Sequence, residues 1–341
     1  MKSSLSGKIM LCCIALVLTA WGWGQNKAFA NKELEKIYAK KKIIFIVPFG
    51  PGGGYDTIAR TLLPYIGKYT GSKVILRNVT GAGGLNGMNT LWKSRPDGFT
   101  IGLVTGIGAC LNQIAGSKGA RYDVQKFTWF GRISPNFFSM ASSAQGPFKT
   151  MEGVIQSNRP IKIGTTGAGS ALTIAGRLLA KSYDFNVEFV LGYSSTGEIY
   201  IGAIRGDIDV AIGAADSVLT QVKSGTLNPL FYLDMKKGKG YPDTPSFAEL
   251  KPKNMIYAKA ISNLGDMGRL IAGPPKMNKD KVVYLQSAIG KALNDPGFVS
   301  DANRLNHEVE PASPEAVAKF IGDAMNAPAE IKAVIIESFK K

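Results

Sequence analysis

The chain has 341 residues, 45% hydrophobic and 19% charged, with 40 Gly and 17 Pro. That composition builds one or two ordinary cores and excludes disordered, collagen-like and coiled-coil classes. Lys and Arg number 41 against 25 Asp and Glu, a formal charge of +16, with one His and three Cys. So few His and Cys remove most metal sites, zinc fingers and histidine-based catalytic schemes, leaving chemistry done by backbone amides, hydroxyls and lysines. Neither a cofactor nor a metal is expected.

Lys2 and Lys8 precede an apolar run from Ile9 to Trp23, and the segment closes on Ala28-Phe29-Ala30. A charged start, a short apolar stretch and an A-x-A site read as a secretory signal peptide over residues 1–30, cleaved after Ala30 to leave an exported, periplasmic protein. An uncleaved N-terminal anchor is the other reading. Cys12 and Cys13 follow Leu11, not the small residue that a lipoprotein site needs. The mature chain would keep only Cys110, so it has no internal disulfide, and a lone thiol in an oxidising compartment reads as buried and inert. Lysines are scattered apart from Lys40–Lys42 and a looser group at Lys236, Lys237 and Lys239. That scatter argues for a small acidic ligand or simple solubility, not a nucleic-acid stripe.

Strand-like runs alternate with helical patterns along the mature chain, which predicts an α/β architecture with a parallel or mixed sheet. Ile43–Phe49 is the first strand. A helix follows over Thr57–Tyr69, with Ile58, Leu62 and Ile66 on one face and Pro64 placed to kink it. Further strands are expected at 73–79, 99–105, 127–133, 137–142, 161–164, 187–192, 207–212, 230–233 and 269–273. Helices are expected at 85–93, 171–183, 197–205, 216–223, 279–293 and from Pro314 behind the N-cap Ser313. Two βαβ sets, one before about Ile133 and one after Ile161, each open with a strand running into a glycine-rich turn. Two lobes facing across a cleft explain the duplication.

The sharpest feature is Val47-Pro48-Phe49-Gly50-Pro51-Gly52-Gly53-Gly54-Tyr55-Asp56. Three consecutive glycines let backbone N–H groups converge, and the following helix adds its positive end, so Gly52, Gly53, Gly54, Tyr55 and Asp56 can form an anion cradle without a cationic side chain. The competing reading is a tight turn in which Asp56 only caps the helix. Neither the Rossmann nor the Walker pattern is met, since Tyr55 stands at the third glycine position and no Gly-Lys-Ser or Gly-Lys-Thr follows.

The same grammar recurs in Ile161–Ser170, where Thr165, Thr166, Gly167 and Ser170 precede a helix and make a second cradle. Ser170 lies outside any G-x-S-x-G, and His307, the one imidazole, reads as a surface residue in a polar stretch, so no catalytic residue is assigned. Gly81–Gly84 is a candidate third lip. Thr105, at the end of a strand, joins the candidate ligand contacts. Ser194 and Ser195, in a hydroxyl-rich turn before a helix, and Asp216, at another helix start, are further candidates, with simple capping as the alternative for each.

The blocks Ile46–Asp56, Asn78–Gly84, Arg95–Thr100, Gly206–Val210, Tyr241–Glu249 and Ala288–Phe298 resemble, in order, those of the Bug receptors, the periplasmic solute-binding components of tripartite tricarboxylate transporters. The resemblance implies a type II, Venus-flytrap periplasmic binding protein with two mixed sheets flanked by helices and a ligand cleft between two lobes. Residues 31–136 with 255–341 would form one lobe and 137–254 the other. It further implies a non-enzymatic, monomeric receptor for a di- or tricarboxylate or an aromatic acid. Such a receptor would deliver its ligand to integral membrane transporter subunits, without a nucleic-acid partner. A sensor subunit for a signalling receptor, or an exported enzyme acting on small anions, are the alternatives.

Three positions depart from the family pattern. Thr173 stands where many relatives have His, Ser194-Ser195-Thr196-Gly197-Glu198 replaces a glycine-rich turn, and Tyr55 puts an aromatic ring at the lip. From these, Glu198 facing the cleft would repel a second carboxylate, and Tyr55 would stack on an aromatic acid.

Overall fold

The computed structural model describes residues 32–339 apart from 237, 239, 242, 263 and 264. The signal-peptide reading of residues 1–30 lies outside the described residues, among which no helix is long and apolar enough to cross a membrane.

Helix α1 (32–39) leads into β1 (Lys42–Val47), α2 (Gly54–Thr70), β2 (Lys73–Asn78), α3 (Leu85–Trp92), β3 (Thr100–Thr105), α4 (Gly106–Ile114) and β4 (Thr128–Ser134). The chain then crosses to β5 (Phe138–Ser143), α5 (Met151–Ile155), β6 (Ile161–Thr165), α6 (Ala171–Tyr183), β7 (Val187–Leu191), α7 (Thr196–Arg205), β8 (Val210–Ala214), α8 (Ala215–Lys223), β9 (Leu227–Tyr232) and α9 (Met255–Ser262). It returns in β10 (Arg269–Gly273) and ends with α10 (Lys279–Leu293), α11 (Pro296–Arg304), α12 (Pro314–Met325) and α13 (Ala329–Phe339).

Two five-stranded mixed sheets result, in the orders β2-β1-β3-β10-β4 and β7-β6-β8-β5-β9. In the first, β1 runs parallel to β2 and β3 while β10 is antiparallel to β3 and β4. The second repeats this with β6 parallel to β7 and β8, and β5 antiparallel to β8 and β9. The fold is therefore the expected two-lobed α/β arrangement. Helix α9, expected with the first lobe, packs against α6, and the first sheet is rejoined only at β10.

Strand β1 shows why both faces of the first sheet are covered. Ile43, Phe45 and Val47 join the core under α2 and α10, while Ile44 and Ile46 face the core that holds Met88 and Leu91 of α3. A strand buried on both faces reads as a continuous apolar run, as Ile43–Val47 does. The C-terminal ends of β1, β3, β6 and β8 each run into the start of a helix, and the helix N-termini α2, α4, α6 and α8 gather where the lobes face each other. In open parallel sheets, ligands bind at this end.

Candidate functional site

The first glycine turn is held by its own carboxylate. Gly53 is the N-cap of α2, and Gly52 takes a φ of 82°, which glycine alone adopts without cost. Asp56 accepts hydrogen bonds from the Gly52 amide at 3.0 Å, Asn78 Nδ2 at 2.9 Å and Arg60 Nε at 2.8 Å. Burial alone would raise its carboxyl, but the bonds from Arg60, Asn78 and Gly52 outweigh it and hold Asp56 below the usual value. All the charge of Asp56 is spent on shaping the turn.

Thr173 organises the second turn. Its Oγ1 lies 2.7 Å from the Gly167 carbonyl, 2.8 Å from Thr165 Oγ1 and 3.1 Å from Ser170 Oγ, while Ser170 caps α6 by accepting from the Thr173 amide. The residue that stands where relatives have His therefore acts as a knot inside the loop. With Thr165 and Gly167 so engaged, the Thr166 and Ser170 side chains are left to face the cleft.

Across the cleft the two lobes touch. Gly50 N donates to Ser194 O at 2.7 Å, Ser195 Oγ to Pro51 O at 3.3 Å, and Gly83 N to Thr166 O at 3.2 Å. Asn112 Nδ2 also reaches the Gly169 carbonyl. The third lip, Gly81–Gly84, thus meets the second turn directly.

Between these contacts lies a cavity of about 40 Å³ lined by Phe49, Gly53, Gly54, Tyr55, Thr105, Asn136, Phe138, Thr166, Ser170, Ala171, Leu172, Thr196, Ala214 and Ser217. Gly53, Thr105, Ser170 and Ala214 are the N-caps of α2, α4, α6 and α8, and Thr196 opens α7. Five helix N-termini, each carrying partial positive charge, therefore converge on one small space. No Lys, Arg or His is among its lining residues. Among the described residues, Tyr55 Oη, Asn136 Oδ1 and Thr166 Oγ1 are buried there with no hydrogen-bond partner within standard geometry. Buried polar atoms are ordinarily satisfied, so three such atoms on one cavity mark groups available to a guest.

Six of the thirteen sequence candidates line this cavity: Gly53, Gly54, Tyr55, Thr105, Thr166 and Ser170. Gly52, Asp56, Thr165 and Gly167 support its two turns from behind. Ser194 and Ser195 form the seam outside it, where the Glu198 carboxylate accepts from the Ser194 amide at 2.8 Å and Ser195 caps α7. Glu198 is thus a capping partner of its own turn and does not face the cavity. Asn136, Phe138, Thr196, Leu172 and Ser217 were missed. Asn136 had a readable signal, as a polar residue in the three-residue crossover between β4 and β5.

Asp216 lies elsewhere, in an ion cluster that joins the lobes. Its carboxylate takes Arg269 Nη2 at 2.7 Å and His307 Nδ1 at 2.9 Å. Arg269 also donates to Ser134 Oγ at 2.9 Å and stands 5.6 Å behind the Tyr55 ring. Burial would raise the Asp216 carboxyl, but Arg269 and His307 outweigh it and hold it well below the usual carboxylate range.

His307, expected on the surface, is buried at 4% exposure, because α2 and α8 close over the polar stretch that carries it. Its Nε2 lies 2.7 Å from Thr57 Oγ1, so a hydroxyl–imidazole–carboxylate relay exists that the single histidine had argued against. Thr57 Oγ1, however, sits 3.2 Å and 3.3 Å from the Gly53 and Gly54 carbonyls, and neither Thr57 nor His307 lines the cavity. The Cys110 thiol is fully buried and pushed up to about 12 by burial, in line with the inert reading.

Residues 58–337 match the model of the tripartite tricarboxylate transporter family receptor. The chain belongs to this receptor family. Relatives include a UPF0065 protein of Agrobacterium vitis, 26% identical over 64% of this chain and 63% of the relative. The protein BugT of Bordetella pertussis is 22% identical over 84% and 86%. Among solved structures, the periplasmic binding protein BugD superposes with a TM-score of 0.74 at 21% identity, covering 87% of the receptor and 97% of BugD. MatC of Rhodopseudomonas palustris with bound malate gives 0.72 at 19%, covering 86% and 98%. At these identities the structural likeness establishes the receptor's two-lobed fold.

Proposed function

We propose that the receptor captures a small organic carboxylate, a di- or tricarboxylate or an aromatic acid, in the interlobe cavity. It works in the periplasm after loss of residues 1–30, as a monomer, and passes its ligand to the membrane subunits of a tripartite tricarboxylate-type transporter. The observation that carries this reading is the convergence of five helix N-termini and three unpartnered polar atoms on a cavity without a cationic lining residue. Such a site stabilises a compact anion through dipoles and hydrogen bonds, each charge-assisted bond contributing about 1.5–3 kcal/mol. Family membership supports the transport role, and structural neighbours holding malate and adipate support the carboxylate.

Phe49, Tyr55, Phe138 and Leu172 supply an apolar wall for the body of the acid. The closed cavity is far below the roughly 300 Å³ of an ordinary ligand pocket, so a bound acid holds the lobes somewhat wider than they stand here. Ligands enter by hinge opening and are trapped by closure. No turnover is proposed: the Thr57 hydroxyl is held over backbone carbonyls and the relay behind it does not face the cavity. Thermal-shift screening of aliphatic and aromatic mono-, di- and tricarboxylates tests the reading, since a ligand selective for the folded form raises the melting temperature. A rise with carboxylates and none with their uncharged amides supports it; no response to any acid overturns it.

A further inference from the structure

The Asp216 cluster spans the two lobes beside the interlobe cavity, and none of Asp216, Arg269 and His307 lines it. Asp216 sits in the first turn of α8 on the second sheet's side, whereas Arg269 belongs to β10 and His307 follows α11, both on the first. Arg269 is 1% and His307 4% exposed. Charges so enclosed are stable only when paired, and opening the cleft separates them and returns them to water.

An ionised carboxylate only accepts, so His307 Nδ1 donates to Asp216. On the other side of the ring, Nε2 lies 2.7 Å from Thr57 Oγ1, which ties the clasp to the start of α2 and the glycine turn. The charged and titratable groups around His307 are Asp216 of α8, Arg269 of β10 on the same carboxylate, Glu308 beside it and Tyr232 of β9. Thr57 of α2 completes its surroundings. A cavity of about 260 Å³ lined by Asp216, Tyr232, His307 and Glu308 lies beside the ring.

We propose that Asp216 is a positioning residue for ligand capture: clasped by Arg269 and His307, it latches the second lobe onto the first and sets how long a ligand stays, without touching it. The proposal rests on the interlobe cavity being the ligand site.

The test uses tag-free mature protein carrying Lys42→Cys and Glu188→Cys, both exposed, spin-labelled and measured ligand-free by pulsed electron resonance. The short interlobe distance should dominate in the parent, and Asp216→Asn should shift the population to long distances. In that variant, whichever of malate, adipate and benzoate raises the melting temperature most should dissociate at least about tenfold faster. His307→Ala removes one clasp and should shift the population toward long distances, whereas His307→Asn keeps a donor toward Asp216 and should stay closed. Cooperative melting of each variant checks folding, and should Asp216→Asn fail to fold, the two His307 variants still decide.

Parent-like distances and dissociation in Asp216→Asn, or parent-like distances in His307→Ala, would overturn the latch. Because the distances are read without ligand, failure of every acid to bind would tell against the carboxylate reading and leave the latch standing.

Discussion

A Cβ added to Gly197 at the start of α7 would stand 2.9 Å from the Gly52 carbonyl oxygen on the opposite lobe. That separation is too short for a relaxed contact, and the atom it meets is backbone, so the closed cleft depends on the missing side chain. Gly197→Ala should hinder closure while leaving the fold intact or strengthening α7 by up to about 1 kcal/mol. Melting temperature unchanged or raised, with faster ligand dissociation, is the expected pair of results; unchanged dissociation would show that the seam between residues 52 and 197 does not close on the ligand.

Among the described residues the Thr166 hydroxyl has no hydrogen-bond partner and the Tyr55 hydroxyl has only Thr105 beside it. Thr166→Val breaks no existing bond and Tyr55→Phe only the contact with Thr105, so both should leave unliganded stability close to the parent's. Each should cost about 1.5–3 kcal/mol of carboxylate affinity where the hydroxyl donates to the anion. Calorimetric titration beside thermal melts separates the two effects.

Asp295 offers a pH test within the first lobe. Hydrogen bonds from Lys68 Nζ at 2.7 Å and from Tyr69 Oη at 2.8 Å hold its carboxyl down to about 2. A carboxyl depressed by folding stabilises above its unfolded value of about 3.9 and loses that contribution as pH falls through its folded value. Replacing Asp295 with Asn should lower stability at neutral pH and flatten the decline between about pH 4 and about pH 2. Parallel curves for parent and variant would contradict the assignment.

Cys110 should resist alkylation in the native protein and react only on unfolding, because the thiolate is the nucleophile and burial suppresses it. Labelling by a maleimide at rising denaturant, followed by mass spectrometry, should track global unfolding. Rapid labelling of the folded receptor would show that the α4 region opens locally.

Legibility of the fold followed local signal. Strands such as Lys73–Asn78 and Thr128–Ser134 were found within a residue or two, and Ala171–Tyr183 and Lys279–Leu293 at their ends, because their caps and apolar periods agree. Helix α4 was missed because Gly106 and Gly108 disguise a helix capped by Thr105. Helix α11 was missed although Asp295-Pro296, an N-cap followed by proline, announces it.

The two glycine turns were legible because their chemistry is local to ten residues each. Asn136 was readable from its place in the short crossover, whereas Thr196 and Ser217 reach the cavity only through the facing of the lobes, which no local pattern encodes. His307 and Asp216 find each other across 91 residues, and their polar neighbours in sequence give no sign of burial.

A crystal structure of the receptor saturated with the acid that most raises its melting temperature tests the central claim most directly. A carboxylate lying between the starts of α2 and α6, with an oxygen in hydrogen-bond reach of Thr166 Oγ1 and no lysine or arginine on it, is the predicted result. An acid held by a cationic side chain, or bound outside the space between the lobes, would contradict the account.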